Sequence, residues 1–375
     1  MLATIRDYAT DRLAGRPEVE SLRRRHAETY LELVEQAAPQ LLGPRGKQLL
    51  DRLAQDHDNV RLAVDWAVEQ GEAEVALRLL SGLWRFWQIR GHLHEGWERA
   101  QRVLAMPNVA KQPPALRARA LGAAGGVAYW REDGLAAHEL YREALELART
   151  AGDRRLLAEA LTNFGYTPEP SPASSAGLYG SGRPFFEEAA GLYRELGDQD
   201  GLAGALWALA FAAVNSGDVD GAGPLIEEGL ALARASGNRF AIGWSLFGLA
   251  WIGLREGRIG DAVRNLVESL RVFEETGDVS GITSAIVGLT AGAVGVAKEP
   301  MWRLRGAGQA FAARFGVGFT ETGLGYMDVD SLDRPIDDTD AQRAWDAGAA
   351  MTVDEAVAYA YEVAAQMQAA LPPCR

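Results

Sequence analysis

"LFGLAWIGLREGRIGDAVRNLVES", residues 246–269, carries a glycine at its midpoint, Gly257, and a matched pattern on either side. Counting back from Gly257, small or apolar residues stand at Leu246, Leu249, Ala250 and Gly253. Counting forward, they stand at Ala262, Leu266 and Ser269. The same set surrounds Gly217 as Leu206, Leu209, Ala210, Ala213, Ala222, Ile226 and Gly229. It surrounds Glu132 as Leu121, Ala124, Gly125, Ala128, Ala137, Tyr141 and Ala144. Small residues recur where two helices must approach closely, and large apolar ones where they interlock.

Outward from this stretch the punctuation repeats. "TAGD" ends at Asp153, "ELGD" at Asp198, "ASGN" at Asn238 and "ETGD" at Asp278, at spacings of 45, 40 and 40 residues. A second mark falls midway, at "REDG" (131–134), "NSGD" (215–218) and "REGR" (255–258). Glycine stops a helix because it takes the left-handed cap conformation without steric cost. Two helices per 40 residues, with one turn inside and one between units, predict an all-α solenoid. The pattern resembles the tetratricopeptide repeat, which implies a right-handed superhelix of helical hairpins. A HEAT-like hairpin array is the alternative.

Upstream, "LWRFWQIRGHLHEGW" (83–97) packs three Trp, two His and two Arg into fifteen positions. The repeat reads it as helices over 74–90 and 93–105 with a turn at Gly91. Trp84 and Trp87 then share a face and serve packing, although Trp84 falls near a position that is normally small. His92 and His94 flank a helix start at a spacing that does not suit the i, i+4 metal pair of a helical site. No metal site is expected.

The pattern breaks at "YTPEPSPASSAGLYGSGRP" (166–184). Pro168, Pro170 and Pro172 should stop the preceding helix early, because proline lacks an amide donor and clashes with the turn before it. The stretch is either a tolerated insertion or a loop over the solenoid groove that touches a ligand or partner. First helices supply the concave face. Their candidate groove residues are Trp207, Phe211, Asn215, Trp244, Phe247, Trp251 and Arg255. An exposed row of these would be an interaction surface; a buried row would be core.

The 375 residues carry a net charge of −13 with no basic cluster, which argues against direct nucleic-acid binding. The single cysteine, Cys374, excludes disulfides within the chain and thiolate metal sites, and fits a reducing, cytoplasmic setting. Met1 leads into an amphipathic helix rather than a signal peptide. Val279–Ala297 has no charged residue over 19 positions, but similar runs at 201–217 and 240–254 mark all three as buried repeat helices rather than membrane spans.

Three regions are expected: an N-terminal helical segment (1–70), degenerate repeats (71–300) and a C-terminal helical cap (301–375). Residues 21–37 and 51–71 each read as an amphipathic helix. The acidic stretch 317–340 reads as a solvated loop. A calcium loop in "DVDSLDRPIDDTD" would need Gly and Glu where Asp333 and Thr339 stand. "TVDE" (352–355) matches the capping box that starts a final helix, with Thr352 as cap.

Catalytic constellations are missing from the sequence. "GPRGKQ" (43–48) is too short for a phosphate loop and lacks its hydroxyl residue. There is no Gly-x-Ser-x-Gly elbow and no His-Glu-x-x-His. The expectation is a non-enzymatic protein with no catalytic residue and no cofactor.

"MLATIRDYATDRLA" (1–14), "LRRRHAETYLELVEQA" (22–37), "LDRLAQDHDNVRLAVDWAVEQGE" (50–72) and "ALRLLSGLWRFWQIRGHLHEGW" (76–97) resemble the C-terminal half of large bacterial ATPase-type regulators of the LuxR-like and SARP-like kind. "AWDAGAAMTVDEAVAYA" (344–360) resembles that group's ending. In the family, a nucleotide-binding module and a winged helix precede a tetratricopeptide-like array, and "LATIRDYA" would end the winged helix. This chain has neither a phosphate loop nor a DNA-binding module, so those activities do not carry over. The resemblance implies the sensing or interaction arm. Its partner would be a protein or a nucleotide-binding regulator module, with a small-molecule inducer as the alternative ligand.

Overall fold

The computed structural model describes residues 18–170, 179–293, 298–317 and 338–370. Among these there are helices and turns but no strands. An N-terminal group comprises α1 (Glu18–Ala37), α2 (Gly46–Gln55) and α3 (His57–Glu69). Hairpins follow: α4 (Ala73–Arg90) with α5 (Leu93–Leu104), α6 (Pro114–Trp130) with α7 (Gly134–Ala151), and α8 (Arg154–Gly165) with α9 (Arg183–Leu196). Next come α10 (Gln199–Asn215) with α11 (Val219–Ser236), and α12 (Arg239–Arg255) with α13 (Ile259–Thr276). The chain closes with α14 (Val279–Ala293), α15 (Lys298–Phe315), α16 (Thr339–Ala349) and α17 (Val353–Ala370).

The marks between units are two-residue joints. Gly197, Gly237 and Gly277 end their helices with φ of 67°, 72° and 65°. The next residue caps the next helix. Asp198 Oδ1 accepts from Gly201 N at 3.0 Å, Asn238 Oδ1 from Ala241 N at 3.0 Å, and Asp278 Oδ1 from Gly281 N at 3.1 Å. Each such cap contributes about 1 kcal/mol. "GD" or "GN" is therefore a stop and a start together. The turn inside a unit uses Gly217 (φ 84°) and Gly257 (φ 72°), and in the third case Glu132 (φ 60°).

Glycines on first helices receive aromatic rings from elsewhere. A Cβ at Gly125 would stand 2.6 Å from the Tyr141 ring, and one at Gly243 would stand 2.5 Å from Phe273. The 83–97 stretch follows the same rule. Trp87 is buried and packs across its hairpin on Gly96. Trp84 occupies a normally small position because its neighbour gives way: a Cβ at Gly126 of α6 would meet its ring at 2.7 Å.

The 51–71 reading is corrected. Its segment belongs to two helices, α2 and α3, which break at Asp56. Asp56 ends one and begins the next, and its carboxylate is tied to Arg52 at 2.7 Å. Helix α8 does stop at Gly165, ahead of the proline run. Of the 166–184 loop, residues 171–178 lie outside the described residues, as do 318–337 of the acidic stretch. Asp338 at the end of that stretch caps α16 through Asp340 N and Ala341 N, both at 3.1 Å. The capping box at Thr352 is formed: Glu355 Oε2 accepts from Thr352 N at 2.8 Å. Among the described residues no helix is long and apolar enough to cross a membrane.

The array closes on itself. Helix α14 returns to pack on α4. Gln88 Nε2 donates to Ser280 Oγ at 2.5 Å, and Arg90 donates to the Gly277 carbonyl at 3.2 Å. Leu42, before α2, accepts from the Arg239 amide at 2.9 Å. One continuous core runs from Ala27 to Met367 and includes both sides of this seam. A second core, from Ala118 to Ala212, fills the middle units.

Candidate functional site

Between these two cores lies a cavity of about 620 Å³, within the size range of small-molecule sites. Its wall comes mainly from α1, α4, α6, α8, α10 and α12, with Tyr141 and Ala144 of α7 and Tyr193 of α9. Aromatic side chains dominate it. Trp130 meets Trp244 at 5.3 Å between ring centroids, and Tyr129 meets Tyr166 at 5.4 Å. Trp207 lies 6.3 Å from both Tyr166 and Trp244. Its Nε1 donates to the Trp244 carbonyl at 3.0 Å, which fixes the ring.

Four arginines reach the wall, and three are neutralised there. Arg78 pairs with Glu35 at 2.7 Å, Arg119 with Asp153 at 2.7 Å and Arg155 with Asp198 at 3.0 Å. The fourth, Arg85, makes no ion pair among the described residues. Its guanidinium lies 3.8 Å from the Trp84 ring centroid and 4.7 Å from that of Phe240, and it donates to Gln88 Oε1 at 3.2 Å. Burial lowers its pKa to about 10, while charge on Asp278 works the other way. Asp278 sits at the seam behind it. Burial pushes that carboxyl up to about 6 against the hydrogen bonds from Ser280 and Gly281. Glu159, also on the wall, is raised by burial.

The structure distributes the seven predicted groove residues unequally. Trp207 and Trp244 line the cavity. Phe211 stacks on Trp207, with centroids 4.9 Å apart and planes at 26°. Phe247 and Trp251 are buried in the main core, and Phe247 packs over Gly288 of α14. Asn215 turns back to donate to the Phe211 carbonyl at 2.8 Å, and Arg255 is exposed at the end of α12.

Arg85, Tyr129, Trp130, Tyr166 and Phe240 were not singled out from sequence. Trp130, Trp207 and Trp244 stand two, ten and thirteen residues before the turn residues Glu132, Gly217 and Gly257. The cavity crosses the array obliquely, so reading every unit at one register misses it. A clustering of aromatics drifting back through successive first helices was the available signal.

A second cluster joins the N-terminal group to α5. His57, His92 and Glu95 offer ligand atoms within 4.8 Å of one another. Cations already occupy the carboxylate. Arg99 Nε donates to it at 2.9 Å, Arg61 Nε at 2.9 and 3.0 Å, and His57 Nε2 stands 3.2 Å away. Burial alone would raise Glu95, but these partners outweigh it and hold the carboxyl well below its usual range. Burial, reinforced by His57, lowers His92 to about 4. Two guanidiniums against the one carboxylate make this an ion-pair knot with little room for a further cation.

No protein-family model matches the chain. Three mycobacterial proteins, one from Mycobacterium bovis and two from Mycobacterium tuberculosis strains, are each 30% identical to it over 227 residues. All three are named as HTH-type transcriptional regulators. The match covers 58% of this chain and 24% of each relative, so the chain matches about a quarter of the length of these curated relatives. A Rap protein solved in complex with Competence and Sporulation Factor superposes over 92% of this chain and 99% of its own, with a TM-score of 0.54 at 12% identity. Aspartyl phosphate phosphatase F from Bacillus subtilis superposes over 95% of this chain and 96% of its own, with a TM-score of 0.47 at 13% identity. The likeness to the first establishes the fold: an all-α, tetratricopeptide-like helical solenoid.

Proposed function

We propose that this chain is the signal-sensing and protein-interaction arm of a bacterial transcriptional regulator of the LuxR-like or SARP-like kind. It works in the cytoplasm, without chemistry of its own and without direct contact to nucleic acid. The observation that carries the reading is the closed ring around an aromatic cavity. First and last repeats meet at one seam, Gln88–Ser280, so whatever fills the cavity bears on how the ends join. A ligand shifts such an equilibrium by its differential affinity for the open and closed states. Three of the four wall arginines are engaged in ion pairs, and the fourth, Arg85, is left facing the cavity, which supports a binding role. Similarity to HTH-type regulators over 58% of the chain supports the regulatory context.

Between partner protein and small-molecule inducer, the burial pattern favours the inducer as the signal. Trp244, Phe247 and Trp251 are each under a tenth exposed, leaving little of the aromatic row for a protein face. A partner, such as a nucleotide-binding regulator module, would then read the ring from outside. Native mass spectrometry of the chain purified gently from its own host tests this. A mass excess of a small compound is expected. A co-purifying polypeptide with an empty cavity would overturn the inducer reading in favour of groove docking.

A further inference from the structure

Of the four arginines on the cavity wall, Arg85 alone makes no ion pair among the described residues. Arginine presents two faces and an edge of five donors. At Arg85 the guanidinium lies against the rings of Trp84 and Phe240. One donor goes to Gln88 Oε1. Its other nitrogens are neither hydrogen-bonded among the described residues nor sealed from the cavity, in contrast to Arg90, whose Nε is buried without an acceptor. The other wall arginines are held by Glu35, Asp153 and Asp198. Asp278, the nearby carboxylate, spends Oδ1 on Ser280 and Gly281 in the first turn of the helix it caps. Asn163, also on the wall, makes no side-chain hydrogen bond among the described residues. Around these donors stand Tyr129, Trp130, Tyr166, Trp207 and Trp244.

We infer that the cavity binds a small organic monoanion with a planar aromatic body, its carboxylate or equivalent acid on the edge of Arg85 and its rings against Trp130, Tyr166, Trp207 and Trp244. A bidentate arginine–acid contact is stronger and more directional than a neutral one. Out of bulk water, it discriminates sharply against a ligand that lacks the acid. The rings of Trp84 and Phe240 and the bond to Gln88 hold the guanidinium in place before the ligand arrives, so little ordering is left for binding. The inference rests on the sensing function of the cavity but concerns only which ligand class it accepts.

Two fluorescent probes share one body and differ in charge: 1-anilinonaphthalene-8-sulfonate and its uncharged parent, N-phenyl-1-naphthylamine. Titrated into the folded full chain, the sulfonate is expected to bind one to one and at least ten-fold tighter than the parent. Arg85→Gln should abolish that preference while leaving the parent's affinity within two-fold. Arg85→Lys should keep part of the preference, and Arg78→Gln all of it. Far-UV circular dichroism and the thermal midpoint establish that each variant is folded. Equal binding of both probes by the wild type, no binding of either, or a preference that survives Arg85→Gln would overturn the inference. If the preference follows Arg85 while protein from the native host carries no compound, the anion site stands and the regulatory reading falls.

Discussion

The joint between neighbouring units and the seam that closes the ring differ in material. Between α12, α13 and α14 the contact is apolar and stepped: Phe273 is fully buried, and glycines at 243 and 281 make room for its ring. At the seam the contact is polar and buried: Arg85, Gln88, Ser280 and Asp278 form a chain of hydrogen bonds and charge between helices nearly two hundred residues apart. Apolar steps tolerate small slides and repeat well. A polar chain is costly when one member is missing, so it admits one closed arrangement. The difference suggests rigid units joined into a ring whose closure is the adjustable step.

The largest expected effect attacks the apolar side. Phe273→Ala leaves a cavity beside Trp244, whose ring lies 5.3 Å away, and should cost about 3–5 kcal/mol. Urea denaturation measures it. A loss below about 1 kcal/mol would show that the site collapses and that the packing described here is not tight.

Next is the seam. Gln88→Met keeps the volume, removes the donor to Ser280 and strips Arg85 of its acceptor. The expected loss is about 1–3 kcal/mol. Its location matters more than its size. Hydrogen exchange should quicken in α4 and α14 while α10 to α13 keep their protection. Uniform loss across all units would show that the ring melts as one and that the seam is not a separate element.

The seam and the His57–His92–Glu95 knot also differ in how they answer pH. Asp278 has a folded pKa of about 6, above its ordinary 3.8, so it favours the fold below 3.8 and that contribution is lost as pH rises through about 6. His92 is the reverse: its folded value of about 4 lies below the ordinary 6.5, so its contribution is present above 6.5 and lost as pH falls through about 4. Over the shared window the two slopes oppose. Asp278→Asn keeps a helix cap, as Asn238 does, and should make stability climb more steeply with pH between about 4 and 6.5. His92→Gln should tilt it the other way. Thermal midpoints across that window test both. Parallel profiles for wild type and Asp278→Asn would mean that burial does not raise the Asp278 carboxyl above its ordinary value.

What could be read from sequence divides along the same line. The units were legible because packing between neighbours leaves a period: the small residues at 210, 213, 222 and 250 recur at fixed distance from their turns. The N-terminal break at Asp56 was not, because "QDHD" continues the hydrophobic spacing and only the cap geometry ends the helix. The seam left no period at all. Gln88 and Ser280 are ordinary polar residues on helices that meet only after the superhelix has turned. The cavity was half legible: Trp207 and Trp244 were named, while Trp130, Tyr166 and Arg85 lay off the chosen register.

The smallest effect concerns the turn where the period itself deviates. Gly217 and Gly257 take positive φ without a Cβ; Glu132 takes φ 60° with one. A left-handed L-residue costs roughly 1–2 kcal/mol, and a new glycine gives back part of that through the freer unfolded chain. Glu132→Gly should therefore stabilise by about 0.5–1 kcal/mol. Gly257→Ala, the converse change in the other unit, should destabilise by about 1 kcal/mol. Glu132→Asn should fall between wild type and Glu132→Gly, because asparagine tolerates this region better than glutamate. Midpoints from thermal or urea unfolding, read pairwise, decide it. If Glu132→Gly instead destabilises, the glutamate side chain contributes more than its backbone costs. The turn of the α6–α7 unit would then be held by contacts that the glycine turns at Gly217 and Gly257 do without, and the units would be alike in path but not in what fixes them.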